Sequence, residues 1–193
     1  APFAALEEAL LSLLPLVAAV PADEDVVLDL YLWHAGPPGS ARENAERVRA
    51  LGADRVHAVM MPSRFTSAIS EKDATAMARG LGVRYSVISI EGMYEATLAA
   101  LRDEHAGRAP DTTEENIQAR CRGMLLMAIS NKTGRMVLTT GNKSEMSVGY
   151  ATLYGDMAGG YAPIKDCSKT LVWRLARWRN EQAGKPVIPV RTI

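Results

Sequence analysis

Three short segments of this chain carry polar side chains at spacings that suit phosphate or carboxylate chemistry. The first is Thr139-Thr-Gly-Asn-Lys-Ser-Glu145, which starts at the end of an apolar run and turns through Gly141 toward a helix. Thr140 is therefore expected at the edge of a sheet, its hydroxyl and nearby amides open to an anion. Glu145 has two readings. Asn142-x-x-Glu145 has the spacing of a capping box, with the carboxylate at the third helical position. A carboxylate there also suits Mg²⁺, which is commonly held by one or two carboxylates plus substrate phosphates. Spacing alone favours the cap. The second segment holds Asn116 and Arg120, four residues apart and so on one helix face. They form either a solvated face or a fork for a phosphate or carboxylate, which a guanidinium can pair bidentately. Taken alone, the solvated face is the simpler reading. The third is Ser168-Lys169, where Ser168 reads as a helix N-cap. Lys169 then opposes the helix dipole by ~0.3–1 kcal/mol, a conflict that a bound phosphate would resolve. Exposed lysines are nevertheless common in first turns, and Lys165, Arg174, Arg177 and Arg179 read most simply as a solvated helix surface.

An alternating series of strands and helices must position these groups. Val26 to Leu32, Arg55 to Met61, Val83 to Ile90 and Arg135 to Thr140 read as buried strands. Between them, capping signals predict a helix from Ser40 to Leu51 and another opened by Ser70-Glu-Lys-Asp73 and ending near Gly82. A third helix spans Gly92 to Leu101. Thr112-Thr-Glu-Glu115 caps a long one to about Ser130. A short helix follows Asn142, and a final one runs from Lys169 to Asn180. Apolar residues at helical spacing between Pro2 and Val20 predict a packing helix at the start. This alternation predicts an α/β fold with a doubly wound parallel sheet, covered on both faces. Ligands of such sheets bind beyond the carboxyl ends of the strands.

Composition bounds the function. The 193 residues carry 22 Lys+Arg against 22 Asp+Glu, so general polyanion binding is excluded and no nucleic-acid partner is expected. Glu7 and Glu8 break the first apolar stretch below membrane-spanning length, so no membrane partner is expected. Two cysteines, Cys121 and Cys167, make neither a disulfide framework nor a four-cysteine zinc site, and a reduced cytoplasmic setting fits them.

Asp111 to Arg120, Leu138 to Gly160 and Lys169 to Asn180 together resemble the synthetase domain of glutamine-dependent NAD synthetases. Val59-Met-Met-Pro-Ser-Arg-Phe-Thr-Ser67 and Ile90-Glu-Gly-Met-Tyr-Glu-Ala-Thr97 agree. The resemblance covers about Ala53 to Asn180. It implies an adenine-nucleotide α-hydrolase-like (Rossmann-like) sheet of five strands in a single ammonia-ligase domain over 1–193, without the family's C-terminal segment or a glutaminase domain. It also implies ATP-dependent amidation of deamido-NAD to NAD through an acyl-adenylate, with ATP and Mg²⁺ required. Ammonia is the nitrogen donor, drawn from glutamine where a glutaminase domain is present. By position, Thr140 and Lys169 would bind ATP, Asn116, Arg120 and Glu145 would bind deamido-NAD, and Glu145 would also hold Mg²⁺. No catalytic residue is assigned. A homodimer is implied, with Met124, Met127, Met146 and Tyr150 as apolar contact material.

The chain departs from the family where Ser-Gly-Gly-x-Asp-Ser should follow the first strand. Here Leu32-Trp-His-Ala-Gly-Pro-Pro-Gly-Ser40 stands instead. Pro37 and Pro38 offer no N–H to a phosphate, and the motif's carboxylate is absent. Impaired activity is therefore expected. The alternative is an inactive homologue or fragment that binds a nucleotide or a partner. An amidotransferase of related chemistry with another acceptor fits the 139–145 segment less well.

Overall fold

A computed structural model of the chain describes residues 53–184, 186 and 188–190, and the backbone of 26–29. The helices expected before Val20 and from Ser40 to Leu51, and the loop at 31–40, lie outside the described residues.

Among the described residues four parallel strands form the sheet: β1 (Val26–Asp29), β2 (Val56–Met60), β3 (Arg84–Val87) and β4 (Met136–Leu138). Their order is β3-β2-β1-β4, and Val26 lies opposite both Val56 and Met136. Every residue of β2 is buried, as a strand covered on both faces requires. Side chains alternate between the faces. On one face, Val59 and Val137 pack with Tyr94 of α2 (Glu91–Ala100) and with Ile117, Cys121 and Leu126 of α3 (Thr112–Thr133). On the other, Ala58 packs with Met77 and Ala78 of α1 (Ala68–Leu81) and with Ala176 of α5 (Lys169–Ala183). The short α4 (Lys143–Ser147) follows β4. Both layers predicted from the apolar strands are thus present. Of the five strands that the resemblance implies, the described residues contain four.

This topology selects a ligand position. The chain builds outward from β1 to β2 and β3, then returns to place β4 on the other side of β1. The strand order reverses between β1 and β4, which opens a crevice at their carboxyl ends. Thr139 and Thr140 leave β4 at that crevice.

Of the helix ends that differ from expectation, three are explained by side-chain hydrogen bonds. The N-cap of α1 is Ser67, not Ser70: the Ser67 Oγ accepts from the Ser70 amide at 3.2 Å. Ser70 lies inside the first turn, its hydroxyl 2.7 Å from that of Ser67. The cap of α3 is Asp111, not Thr112. Its carboxylate accepts from the Thr113 amide at 2.7 Å, while Glu114 accepts from the Asp111 amide at 2.8 Å. The hydrogen bonds from Thr113 hold the Asp111 carboxyl below its ordinary range. A carboxylate at this end also suits the helix dipole, which favours Asp over the adjacent threonine. Finally, α5 runs past Asn180 to Ala183. The Asn180 side chain instead clamps the tail, donating to the Ile188 carbonyl and accepting from its amide, both at 3.0 Å.

Candidate active site

α3 organises the carboxyl edge through two polar pairs, each spaced i, i+4. Asn116 and Arg120 hold the segment that follows α4. The Asn116 Oδ1 accepts from the Thr152 hydroxyl at 2.8 Å, and the Arg120 Nε donates to the Leu153 carbonyl at 3.3 Å. Gln118 and Arg122, offset by two residues, hold the loop after β2. The Gln118 Oε1 accepts from the Ser63 hydroxyl at 3.0 Å, and the Arg122 Nε donates to the Met61 carbonyl at 3.2 Å. One helix thereby fixes two loops that border the strand ends. The β2 loop is clasped from its other side by α2, where Arg64 pairs with Glu91 and Glu95. Its Phe65 ring stands edge-on to Tyr94 at 6.2 Å.

The segment after α4 meets α3 backbone to backbone. A Cβ at Gly155 would lie 2.9 Å from the Ala119 carbonyl carbon, and one at Gly123 only 2.8 Å from the Gly155 oxygen. Both contacts are closer than a side chain permits, so this crossing needs glycine on each side. Tyr154, just before it, has φ of 61°, an uncommon left-handed conformation for a residue with a side chain. Asp156 closes the turn by accepting from the Thr152 amide at 2.7 Å, while burial pushes its carboxyl upward from its ordinary range.

Thr140 is 3% exposed, and its hydroxyl has no hydrogen-bond partner among the described residues. A buried unpaired hydroxyl costs about 1–3 kcal/mol. Here it sits where the fold predicts a ligand. Glu145 does form the capping box: Asn142 accepts from the Glu145 amide and Glu145 accepts from the Asn142 amide, both at 3.0 Å. The Glu145 carboxylate is thus fixed at the start of α4. Ser168 caps α5 as expected, and Lys169 lies in its first turn. The two helix starts are tied together, since the Lys169 amide donates to the Ser144 hydroxyl at 3.1 Å and the Lys143 amide to the Cys167 carbonyl at 2.9 Å. The Lys169 Nζ lies 5.7 Å from the Trp173 ring centre. Burial lowers the Lys169 ammonium from its ordinary value, and the Glu145 charge partly offsets this.

Glu145 and Lys169 therefore share one neighbourhood, and Thr140 precedes it closely in the chain. Asn116 and Arg120 are joined to it through the 148–157 segment, whose start is anchored by the Tyr150 amide on the Glu145 carbonyl at 2.9 Å. Sequence reasoning missed Gln118, Arg122, Ser144, Thr152 and Asp156. For Gln118 and Arg122 a signal existed: a polar i, i+4 pair beside an apolar stripe. Among the described residues, no three His, Cys, Asp or Glu side chains gather as a metal site, and no helix is long and apolar enough to cross a membrane. Neither Cys121 nor Cys167 is in a disulfide among the described residues, and both are buried.

Comparison with known proteins agrees with this architecture. The NAD synthase family model matches residues 39–193. The chain is 61% identical over 151 residues to the glutamine-dependent NAD(+) synthetase of Rhodobacter capsulatus, covering 75% of this chain and 27% of that protein. It is 53% identical over 164 residues to the enzyme of the same name from Xanthomonas campestris pv. campestris, covering 85% and 30%. The solved glutamine-dependent NAD+ synthetase of Acinetobacter baumannii, in complex with ADP, superposes with a TM-score of 0.82 at 49% identity, over 87% of this chain and 31% of that one. The chain thus spans about 30% of the length of these relatives. With a family match over most of its length and the parallel sheet that carries it, the chain belongs to the NAD synthase family.

Proposed function

We propose that this chain is the ammonia-ligase portion of a NAD synthetase of the adenine-nucleotide α-hydrolase-like class, amidating deamido-NAD at the expense of ATP. The reading rests chiefly on the unpaired, buried Thr140 hydroxyl at the topological switch point. A nucleotide phosphate or ribose there would complete its hydrogen bonding. In this reading Thr140 and Lys169 bind ATP. Asn116 and Arg120 shape the deamido-NAD site through the 152–153 segment and contact the substrate with the atoms that segment leaves open, and Glu145 borders both ligands.

The chemistry has two steps. A nicotinate carboxylate oxygen attacks the α-phosphorus of ATP, forming the acyl-adenylate as the bond to pyrophosphate breaks. Ammonia then attacks the acyl carbon, loses a proton and expels AMP. The Lys169 ammonium offsets charge on the departing pyrophosphate, a role its mild conflict with the α5 dipole leaves open to an anion. Mg²⁺ fits the family's chemistry. Glu145 supplies one carboxylate beside Thr140, which suffices where phosphates complete the coordination. When bound, Mg²⁺ neutralises phosphate charge.

The exposed apolar residues Met124, Val148, Tyr150, Leu153 and Tyr154, with Met127, Met146 and Met157, support the homodimer. A cytoplasmic setting fits the chemistry. The loop at 31–40 supports slow turnover, because it lacks the amides and carboxylate of the family motif. Each missing electrostatic donor can cost ~10²–10³ in rate.

The test is a titration with ATP and Mg²⁺ followed by a deamido-NAD turnover assay, repeated after replacing Ala35–Ser40 with Ser-Gly-Gly-Ile-Asp-Ser. Slow turnover that the replacement improves supports the reading. Nucleotide binding without turnover in either form supports the inactive-homologue alternative, which the prolines at 37 and 38 favour. Turnover that the replacement does not improve shows that another segment supplies the phosphate site.

A further inference from the structure

The opposite edge of the sheet contains a cavity that the amidation reading does not use. It has a volume of about 410 Å³ and lies between the His57 end of β2, the stretch from Arg84 through β3 to Ile88, and the C-terminal half of α3. Ile88, Leu125, Ala128 and Ile129 give it an apolar wall, while Arg84, Lys132 and Arg135 give it three cations. No carboxylate lines it among the described residues, and none of them pairs with Arg84 or Lys132.

His57 lies on the same wall. It is 4% exposed, its Nε2 is 2.8 Å from the Ser86 Oγ, and its Nδ1 is buried without a partner among the described residues. Burial and the charges of Arg84 and Arg135 hold it neutral, with a pKa of about 4. A neutral ring whose Nε2 accepts from Ser86 carries its proton on Nδ1. The site then combines two hydroxyls, from Ser86 and Thr133, with the cations of Arg84 and Lys132 and a neutral histidine. This excess of positive charge calls for a multiply charged anion, and the aliphatic wall calls for an apolar body attached to it.

The geometry points to a second ligand site, at the amino edge of the sheet, for a phosphate monoester carried on an apolar or aromatic group. Arg84 and Lys132 bind the phosphate, and Leu125 and Ile129 cover the organic part. None of Thr140, Glu145 and Lys169 lines this site.

Phenyl phosphate, inorganic phosphate and benzyl alcohol separate the contributions. Each is titrated into the full chain while the His57 ring signals are followed by NMR. Phenyl phosphate should give a saturable shift at His57, and Arg84→Gln with Lys132→Gln should weaken it about tenfold or more, since hydrogen bonds to charged groups contribute about 1.5–3 kcal/mol. Both positions are exposed, so the double variant should fold, and an unchanged melting temperature would establish that. Benzyl alcohol should leave the His57 signals in place. Absence of a saturable shift with phenyl phosphate overturns the proposal. So does equal affinity for inorganic phosphate, which leaves the apolar wall without a role, or affinity that the double variant does not reduce.

Discussion

The two edges of the sheet solve the burial of polar groups in opposite ways. At the carboxyl edge nearly every polar side chain is committed to another part of the chain. Asn116 and Arg120 hold the 152–153 backbone, Gln118 and Arg122 hold 61–63, and Glu145 closes its own helix. The Thr140 hydroxyl stands out against that network. At the amino edge the cations crowd around a cavity, and His57 keeps an unpaired nitrogen. The carboxyl edge is a rigid frame with an open valence at Thr140. The amino edge gathers cations beside a buried, neutral histidine. Rigidity at the first edge has a physical basis in the fold: its loops are locked by helix α3, which is itself packed into the core through Ile117, Cys121 and Leu126.

The comparison breaks most severely if the frame is removed. Gly155→Val should be the most damaging change. Its Cβ alone would lie 2.9 Å from the backbone of Ala119, and overpacking of this kind costs about 1–3 kcal/mol. The 152–157 segment should lift from α3, Asn116 and Arg120 should lose their partners, and substrate binding should fail even where the core survives. Thermal melting and a deamido-NAD titration measure the two effects. Near-normal binding would mean that the frame is not what orders the site.

Thr140→Val should separate stability from binding. The substitution removes an unpaired buried hydroxyl while keeping a branched side chain. Stability should hold or rise by about 1 kcal/mol, the lower end of an unpaired group's cost. ATP affinity should fall about tenfold, the equivalent of one hydrogen bond to a charged group. Loss of both stability and binding would instead make Thr140 a structural residue.

The two edges also differ in how plainly the sequence shows them. The carboxyl edge draws on consecutive residues, 139–145 and 168–169, and on one i, i+4 pair, so strand-end placement and spacing expose it. The Glu145 cap was legible because the capping box is local. The tethers were not, because Thr152 and Leu153 are 36 and 33 residues from their partners and meet them only through the glycine crossing. The amino-edge cavity was invisible for the same reason. His57, Arg84, Lys132 and Arg135 come from separate elements, and only the register of β2 against β3 sets His57 opposite Arg84. Caps slipped by one to three residues at Ser67 and Asp111, where several adjacent Ser, Thr and Asp side chains offered the same chemistry.

A smaller effect should mark the amino edge alone. His57 has a folded pKa of about 4 against an ordinary 6.5. Below about pH 6.5 the unfolded chain takes up a proton that the folded chain refuses, so stability falls with pH down to about 4 and no further on this account. Denaturation midpoints measured across that window should drop for the native chain, and His57→Gln should flatten the decline. Saturating phenyl phosphate should flatten it too, because a bound dianion offsets the arginine charges that keep His57 neutral. An identical pH profile in the native chain and in His57→Gln would assign the acid sensitivity elsewhere.

The smallest change tests the one residue to which both structural and chemical roles fall. Glu145→Gln keeps the capping box, since glutamine serves at that position as glutamate does. Loss of charge at the first turn should cost a few tenths of a kcal/mol, in the lower range of helix-dipole interactions. Melting should therefore barely move. If Glu145 also holds Mg²⁺, the Mg²⁺ concentration needed for half-maximal ATP binding should rise several-fold in the variant. The neighbouring ammonium gives an independent readout. The Glu145 charge counteracts the burial that lowers Lys169, so its neutralisation should lower Lys169 further, as followed by NMR of that side chain. A shifted Lys169 with unchanged Mg²⁺ dependence would leave Glu145 as a cap that tunes its neighbour, and the open valence of the carboxyl edge would then belong to Thr140 and Lys169.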